Sequence, residues 1–202
     1  VVAGGAAALA DAEEGLEDDE AAGARDVEAA AVRAGDVVVG VTASGSTPYV
    51  VSALRRAAEL GATTAVVVST PGSPAEDLVD RTVLVETGPE VVAGSTRLRA
   101  GTAQKLVLNR LSTLAMVGLG HVYGNLMVGV RPDNEKLRDR QRRILVEASG
   151  CTADEAEAAL AATGRDARAG LVVLLTGADP GAALAAVRDS SGDVRAAVRR
   201  LL

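Results

Sequence analysis

The chain has 202 residues, with 27 acids against 21 bases and a formal charge of −6, and its 48% hydrophobic and 24% charged content is that of a globular chain. Two Tyr, no Phe and no Trp argue against recognition by stacking of bases or sugars, and the acidic balance argues against binding a phosphate backbone. One Cys and one His allow no internal disulfide and no zinc site of the Cys/His type, and they leave His121 as the sole basis for a Ser-His-Asp triad.

The opening Val1-Val2-Ala3-Gly4-Gly5 reads as the end of a strand entering a loop, so the sequence is expected to begin inside a domain. Residues 6–34 are rich in Ala and Glu, which favours helix, and Glu13, Glu14, Glu17, Asp18, Asp19 and Glu20 make them strongly acidic. Residues 36–41 form a short valine run bounded by glycines, expected as a buried strand. The polar loop Thr42-Ala43-Ser44-Gly45-Ser46-Thr47-Pro48 follows, with Pro48 suited to a first helical turn and Ser46 or Thr47 to its cap. The helix it opens is predicted over 49–60, ending at Gly61. A second buried strand is predicted over 63–68, a short helix near 75–79 and a third strand over 82–85. Strand–helix–strand alternation with apolar strands implies an α/β domain with a parallel sheet, whose ligands bind at the carboxyl ends of the strands. The loop from Thr42 to Pro48 sits at such an end.

Residues 95–118 read as a long helix, with Leu98, Thr102, Leu106, Asn109 and Thr113 on one stripe. Arg131-Pro132-Asp133 marks a boundary, giving a domain over 1–133 and a helical part over 134–202. In the latter, 134–150 is a connecting helix and 151–202 a small bundle. There Thr152 with Glu155 fits a capping box, and Asp179-Pro180 and Asp193 fit helix starts. No apolar run reaches the roughly 18 residues of a membrane span, and no basic start followed by an apolar core marks a signal peptide.

Three constellations can carry chemistry. Ser44, Gly45, Ser46 and Thr47 bring hydroxyls, backbone N–H groups and a helix N-terminus together. That makes either an anion site without a cation or an ordinary capped turn. The loop lacks Gly-Lys-Ser/Thr, so it is not a nucleotide triphosphate loop. In the second, Ser95 and Thr96 open the predicted helix, with Arg97, Arg99 and Lys105 in its first turns. Cations there oppose the helix dipole. A polar or anionic ligand would explain them, and solvated surface is the other reading, the one adopted for Arg99 and Lys105. The third is Glu14-Gly15-Leu16-Glu17-Asp18, where Glu14 and Glu17 share a helix face and can act as bases or be merely solvated. His121 and Cys151 read as structural.

These residues resemble the N-acetylmuramic acid 6-phosphate etherases, lactate-eliminating enzymes of bacterial cell-wall recycling, with the glucokinase regulatory protein a more distant relative. Both have the sugar isomerase (SIS) fold. The resemblance is most specific from Gly88 to Lys105, where Arg99 stands in place of the family's usual Lys. It extends to Ala43–Val50, Gly101–Asn109, Gly124–Val128 and Asn134–Leu137, and the C-terminal part is similar to the family's ubiquitin-associated-like helical domain.

The resemblance implies Glu17 as the catalytic base, and Glu14, Ser44, Gly45, Ser46, Thr47, Ser95, Thr96 and Arg97 as substrate-binding residues. It implies no cofactor and no metal. It also implies a phosphorylated amino sugar as substrate and a cytoplasmic homodimer that engages neither nucleic acid nor membrane. A base works best with a raised pKa, which burial beside Leu16 would supply. The family's first Gly/Ser/Thr-rich loop and its acid carboxylate would precede Val1, so these 202 residues alone are expected to form a marginal fold without measurable lyase activity. Two rivals remain at this level: a sugar-phosphate sensor that binds without turnover, and an aldose–ketose isomerase of the same fold.

Overall fold

The valine-rich segments Val37–Val41 (β1) and Thr63–Val68 (β2) pair in parallel, from Val37 opposite Thr63 to Val41 opposite Val67. Arg81–Leu84 (β3) joins the other side of β2 in parallel, with Ala65 opposite Arg81. The order is β1-β2-β3. This computed structural model describes residues 1–5, 8 and 15–202.

Two helices pack on each other beside the sheet, Glu20–Ala29 (α1) and Pro48–Glu59 (α2), and α2 also packs on β1 and β2. Leu54 of α2 is buried with Val66, Val68 and Ala75, and Ala57 with Val27 and Ala62. Gly23 permits the close approach of α1, since a Cβ there would overlap the Tyr49 carbonyl and the Ser52 hydroxyl. The expectation of buried strands holds for Val66–Val68 in the middle strand. It fails for β1, where Val37 is 65% exposed and the rest is half-buried; β3 is exposed throughout. β2 alone of the three has a neighbouring strand on both edges, and α2 packs on it as well.

The helix expected over 6–34 is shorter in the described residues. A 3-10 turn, Leu16–Asp18, precedes α1, and Asp19 separates the two with extended backbone (φ −78°, ψ 92°) while its carboxylate accepts from the Ala22 N–H. The long helix also starts later than expected, at Arg99 (α3, Arg99–Gly118). The Arg99 and Ala100 N–H groups donate to Glu90 at 2.9 and 3.0 Å, so a carboxylate nine residues upstream sets the start, and Ser95–Leu98 form a turn before it.

The chain divides into two compact units, 1–109 and 110–202. The second holds a short antiparallel pair, Val122–Tyr123 (β4) with Leu126–Met127 (β5), and five helices: Glu135–Ser149 (α4), Ala153–Ala162 (α5), Ala167–Thr176 (α6), Pro180–Asp189 (α7) and Val194–Leu201 (α8). Leu145, Leu160, Leu171, Val172, Val187 and Val194 form its core. Each helix is capped by its own preceding side chain, Asn134, Thr152, Asp166, Asp179 and Asp193 in turn, with the Thr152–Glu155 box complete. The His121 ring fills the space above Gly129, where any Cβ would overlap it. Among the described residues no single helix is long and apolar enough to cross a membrane.

Candidate active site

The loop from β1 to α2 is organised around Thr42, a buried residue. Its hydroxyl shares a 2.9 Å hydrogen bond with that of Thr47 and accepts from the Gly45 N–H at 3.2 Å. The Ser46 N–H and hydroxyl both donate to the Ser44 hydroxyl, at 3.2 and 3.0 Å. Thr47 occupies the N-cap position of α2, but its hydroxyl is turned to Thr42, and no side chain caps this helix among the described residues. The expectation that Ser46 or Thr47 caps α2 is therefore corrected. Uncapped N–H groups at a helix start, with the positive end of the helix dipole, attract anions.

Gly45 holds the turn with φ +70° and is buried against Ser73. Its carbonyl accepts from the Ala75 N–H at 3.1 Å. Ser73 is itself fixed, its N–H and hydroxyl donating to Glu76 at 2.7 and 2.9 Å, and these bonds, the backbone one first, hold the Glu76 carboxyl below its usual pKa. Behind the loop, the Tyr49 hydroxyl donates to Asp26 of α1 at 2.5 Å. Burial first, and then Asp26, push the Tyr49 phenol well above its ordinary pKa.

A cavity of about 1160 Å³ opens in front of this loop. Ser44, Ser46, Thr47, Glu17, Thr96 and Arg97 all line it, so the first unit alone gathers residues from three separated motifs. Asp18, Gln104 and the β1 valines complete the wall. The Leu16–Asp18 turn that carries Glu17 packs against α2. Burial of Glu17 beside Leu16 is not found: Glu17 is exposed and Leu16 half-buried. Glu14 lies outside the described residues. Gly45 backs the loop, and Ser95 is absent from the lining, its carbonyl accepting from the Leu98 N–H at 3.3 Å. Arg97 has no ion-pair partner among the described residues. Arg99 instead donates to the Pro89 carbonyl and lines a separate hollow of about 560 Å³ with Thr87, Leu98 and Thr102.

Sequence reasoning gave no individual role to Thr42, Asp18, Glu90, Gln104 or the Asp26–Tyr49 pair. Glu90 carried a signal, an acid shortly before a helix that lacks a cap of its own. Asp26 carried none, because its partner lies 23 residues away. Among the described residues no group of three or more His, Cys, Asp or Glu is placed to hold a metal ion.

The profile of the glucokinase regulatory protein N-terminal SIS domain matches residues 1–58. The N-acetylmuramic acid 6-phosphate etherase of Rubrobacter xylanophilus is 52% identical over 198 residues, covering 98% of this chain and 65% of the relative. That of Geobacillus thermodenitrificans is 55% identical over 156 residues, 77% of this chain and 53% of the relative. That of Serratia proteamaculans is 49% identical over 200 residues, 99% of this chain and 67% of the relative. The chain thus spans between about half and two thirds of the length of these curated relatives. Identity at this level, sustained along nearly the whole chain, places it within the N-acetylmuramic acid 6-phosphate etherase family.

Proposed function

We propose that the protein eliminates D-lactate from N-acetylmuramic acid 6-phosphate and adds water to give N-acetylglucosamine 6-phosphate. The observation that carries this reading is that Glu17, a carboxylate with no partner among the described residues, opens into the same cavity as the hydroxyl loop at the uncapped start of α2. Ser44, Ser46 and Thr47, with the backbone of their loop, hold the 6-phosphate, and Gly45 gives the loop its turn. Thr96 and Arg97 complete the pocket around the sugar. Opening of the sugar ring exposes an aldehyde that acidifies the proton on carbon 2. Glu17 removes that proton, and the electron pair left behind forms a double bond to carbon 3. The lactyl oxygen departs from carbon 3 with a proton, and water adds to the resulting enal. The sum is substrate plus water giving the N-acetylglucosamine phosphate plus lactate. A phosphorylated sugar does not cross a membrane unaided, so we place the reaction in the cytoplasm.

The decisive assay is lactate release from N-acetylmuramic acid 6-phosphate by the gene product that carries this chain. Stoichiometric lactate and N-acetylglucosamine 6-phosphate are expected. Binding without release would identify a sensor, and a ketose phosphate product an isomerase.

The same reading includes a homodimer. Helix α3 buries Ala100 and leaves Leu106, Leu108, Leu111, Leu114, Met116 and Val117 exposed at 41–68%. Apolar exposure on that scale fits a covered surface, and a second copy of the chain is the occupant we propose. Light scattering at micromolar concentration should report twice the monomer mass; a fully active monomer would remove the dimer from this account.

A further inference from the structure

Within the cavity, charge is distributed unevenly. Two carboxylates line it, Glu17 and Asp18, against one basic side chain among the described residues, Arg97. The two other cations of the same motif are turned elsewhere. Arg99 is tied to the Pro89 carbonyl in a separate hollow, and Lys105 is exposed and outside the lining. Glu90 takes the first two N–H groups of α3, so the start of that helix offers no second anion site and the turn holding Arg97 is fastened at its base. Arg97 therefore stands as a cation that the fold positions and that has no ion-pair partner among the described residues.

A muramyl substrate carries two anions, the phosphate on carbon 6 and the carboxylate of the lactyl group on carbon 3. The first has the hydroxyl loop and the uncapped start of α2. The second would otherwise enter a cavity already holding two carboxylates, where like charges repel. A guanidinium fork matches a carboxylate through two parallel N–H···O bonds. We propose, resting on the function argued above, that Arg97 receives the lactyl carboxylate and thereby selects lactyl ethers over the sugar phosphate that lacks them. In the elimination the same contact holds the carboxylate of the leaving group as its ether oxygen separates from carbon 3.

The test uses methyl glycosides, whose blocked carbon 1 prevents ring opening and so prevents turnover. Calorimetric Kd values are measured for the methyl glycosides of N-acetylmuramic acid 6-phosphate and N-acetylglucosamine 6-phosphate, with the unaltered protein and with Arg97→Gln. Arg97 is exposed, so the substitution leaves the core untouched. The variant should bind the lactyl ligand about 10- to 100-fold more weakly and the ligand without lactate within about threefold of the original. Parallel weakening of both ligands would put Arg97 on the phosphate or the ring and overturn the assignment, as would no change in either. If the unaltered protein binds neither ligand, the functional reading falls and takes this assignment with it. If it binds both and only the selectivity is unmoved by the substitution, the assignment alone falls.

Discussion

Glu17→Gln is expected to lower lactate release by about 10²- to 10⁴-fold, the range that a positioned general base contributes. It should equally suppress exchange of the carbon-2 proton with deuterated water, while substrate still binds. The amide keeps the shape of the carboxylate and loses its basicity, and Glu17 makes no hydrogen bond or ion pair among the described residues that the change could break. Exposure of the side chain makes a folding defect an inadequate explanation for lost turnover. Asp18 lines the same cavity from the same 3-10 turn, so Asp18→Asn is the control for a general loss of negative charge. That variant should retain activity within about tenfold, less than a positioned base supplies. Near-normal exchange in Glu17→Gln would remove this carboxylate from the mechanism, and equal losses in both variants would point to electrostatics rather than proton abstraction.

How much of this was legible in the sequence depended on how local each determinant is. The β2 segment was predicted to the residue, because its valine run is enclosed by turn residues and buried in the middle of the sheet. The caps of α5, α7 and α8 were legible for the same reason: Thr152, Asp179 and Asp193 each act within three residues. The start of α3 was not, since its cap comes from Glu90 across a loop. Thr47 misled for a related reason. Its position is that of a cap, but the tertiary loop offers it Thr42, a better-placed partner that spacing alone does not reveal. In the site, Ser44, Ser46, Thr47, Thr96, Arg97 and Glu17, singled out in separate motifs, line one cavity, a convergence that spacing alone does not reveal. The burial expected for Glu17 was beyond reach, because it depends on what packs over the turn and not on Leu16 beside it.

Gly45→Ala tests the loop more severely than loss of any single hydroxyl. An alanine at φ +70° carries a backbone penalty of about 1–2 kcal/mol. Its Cβ would also overlap both heavy side-chain atoms of Ser73, which cannot retreat because Glu76 holds its N–H and hydroxyl. The loop backbone must therefore move, giving up the bond from the Ala75 N–H and displacing Ser44 and Ser46 from the start of α2. Affinity for inorganic phosphate and for sugar phosphates should fall by at least about tenfold, the worth of one hydrogen bond to a charged group. The kcat/KM for lactate release should fall by about 100-fold or more, because a misplaced phosphate also misplaces carbon 2 relative to Glu17. Adding Ser73→Gly removes the overlap and leaves the backbone penalty, so the double variant should recover part of the phosphate affinity. Phosphate affinity unchanged in Gly45→Ala would show that the anion does not sit on this loop, and no recovery in the double variant would show that Ser73 does not set its shape.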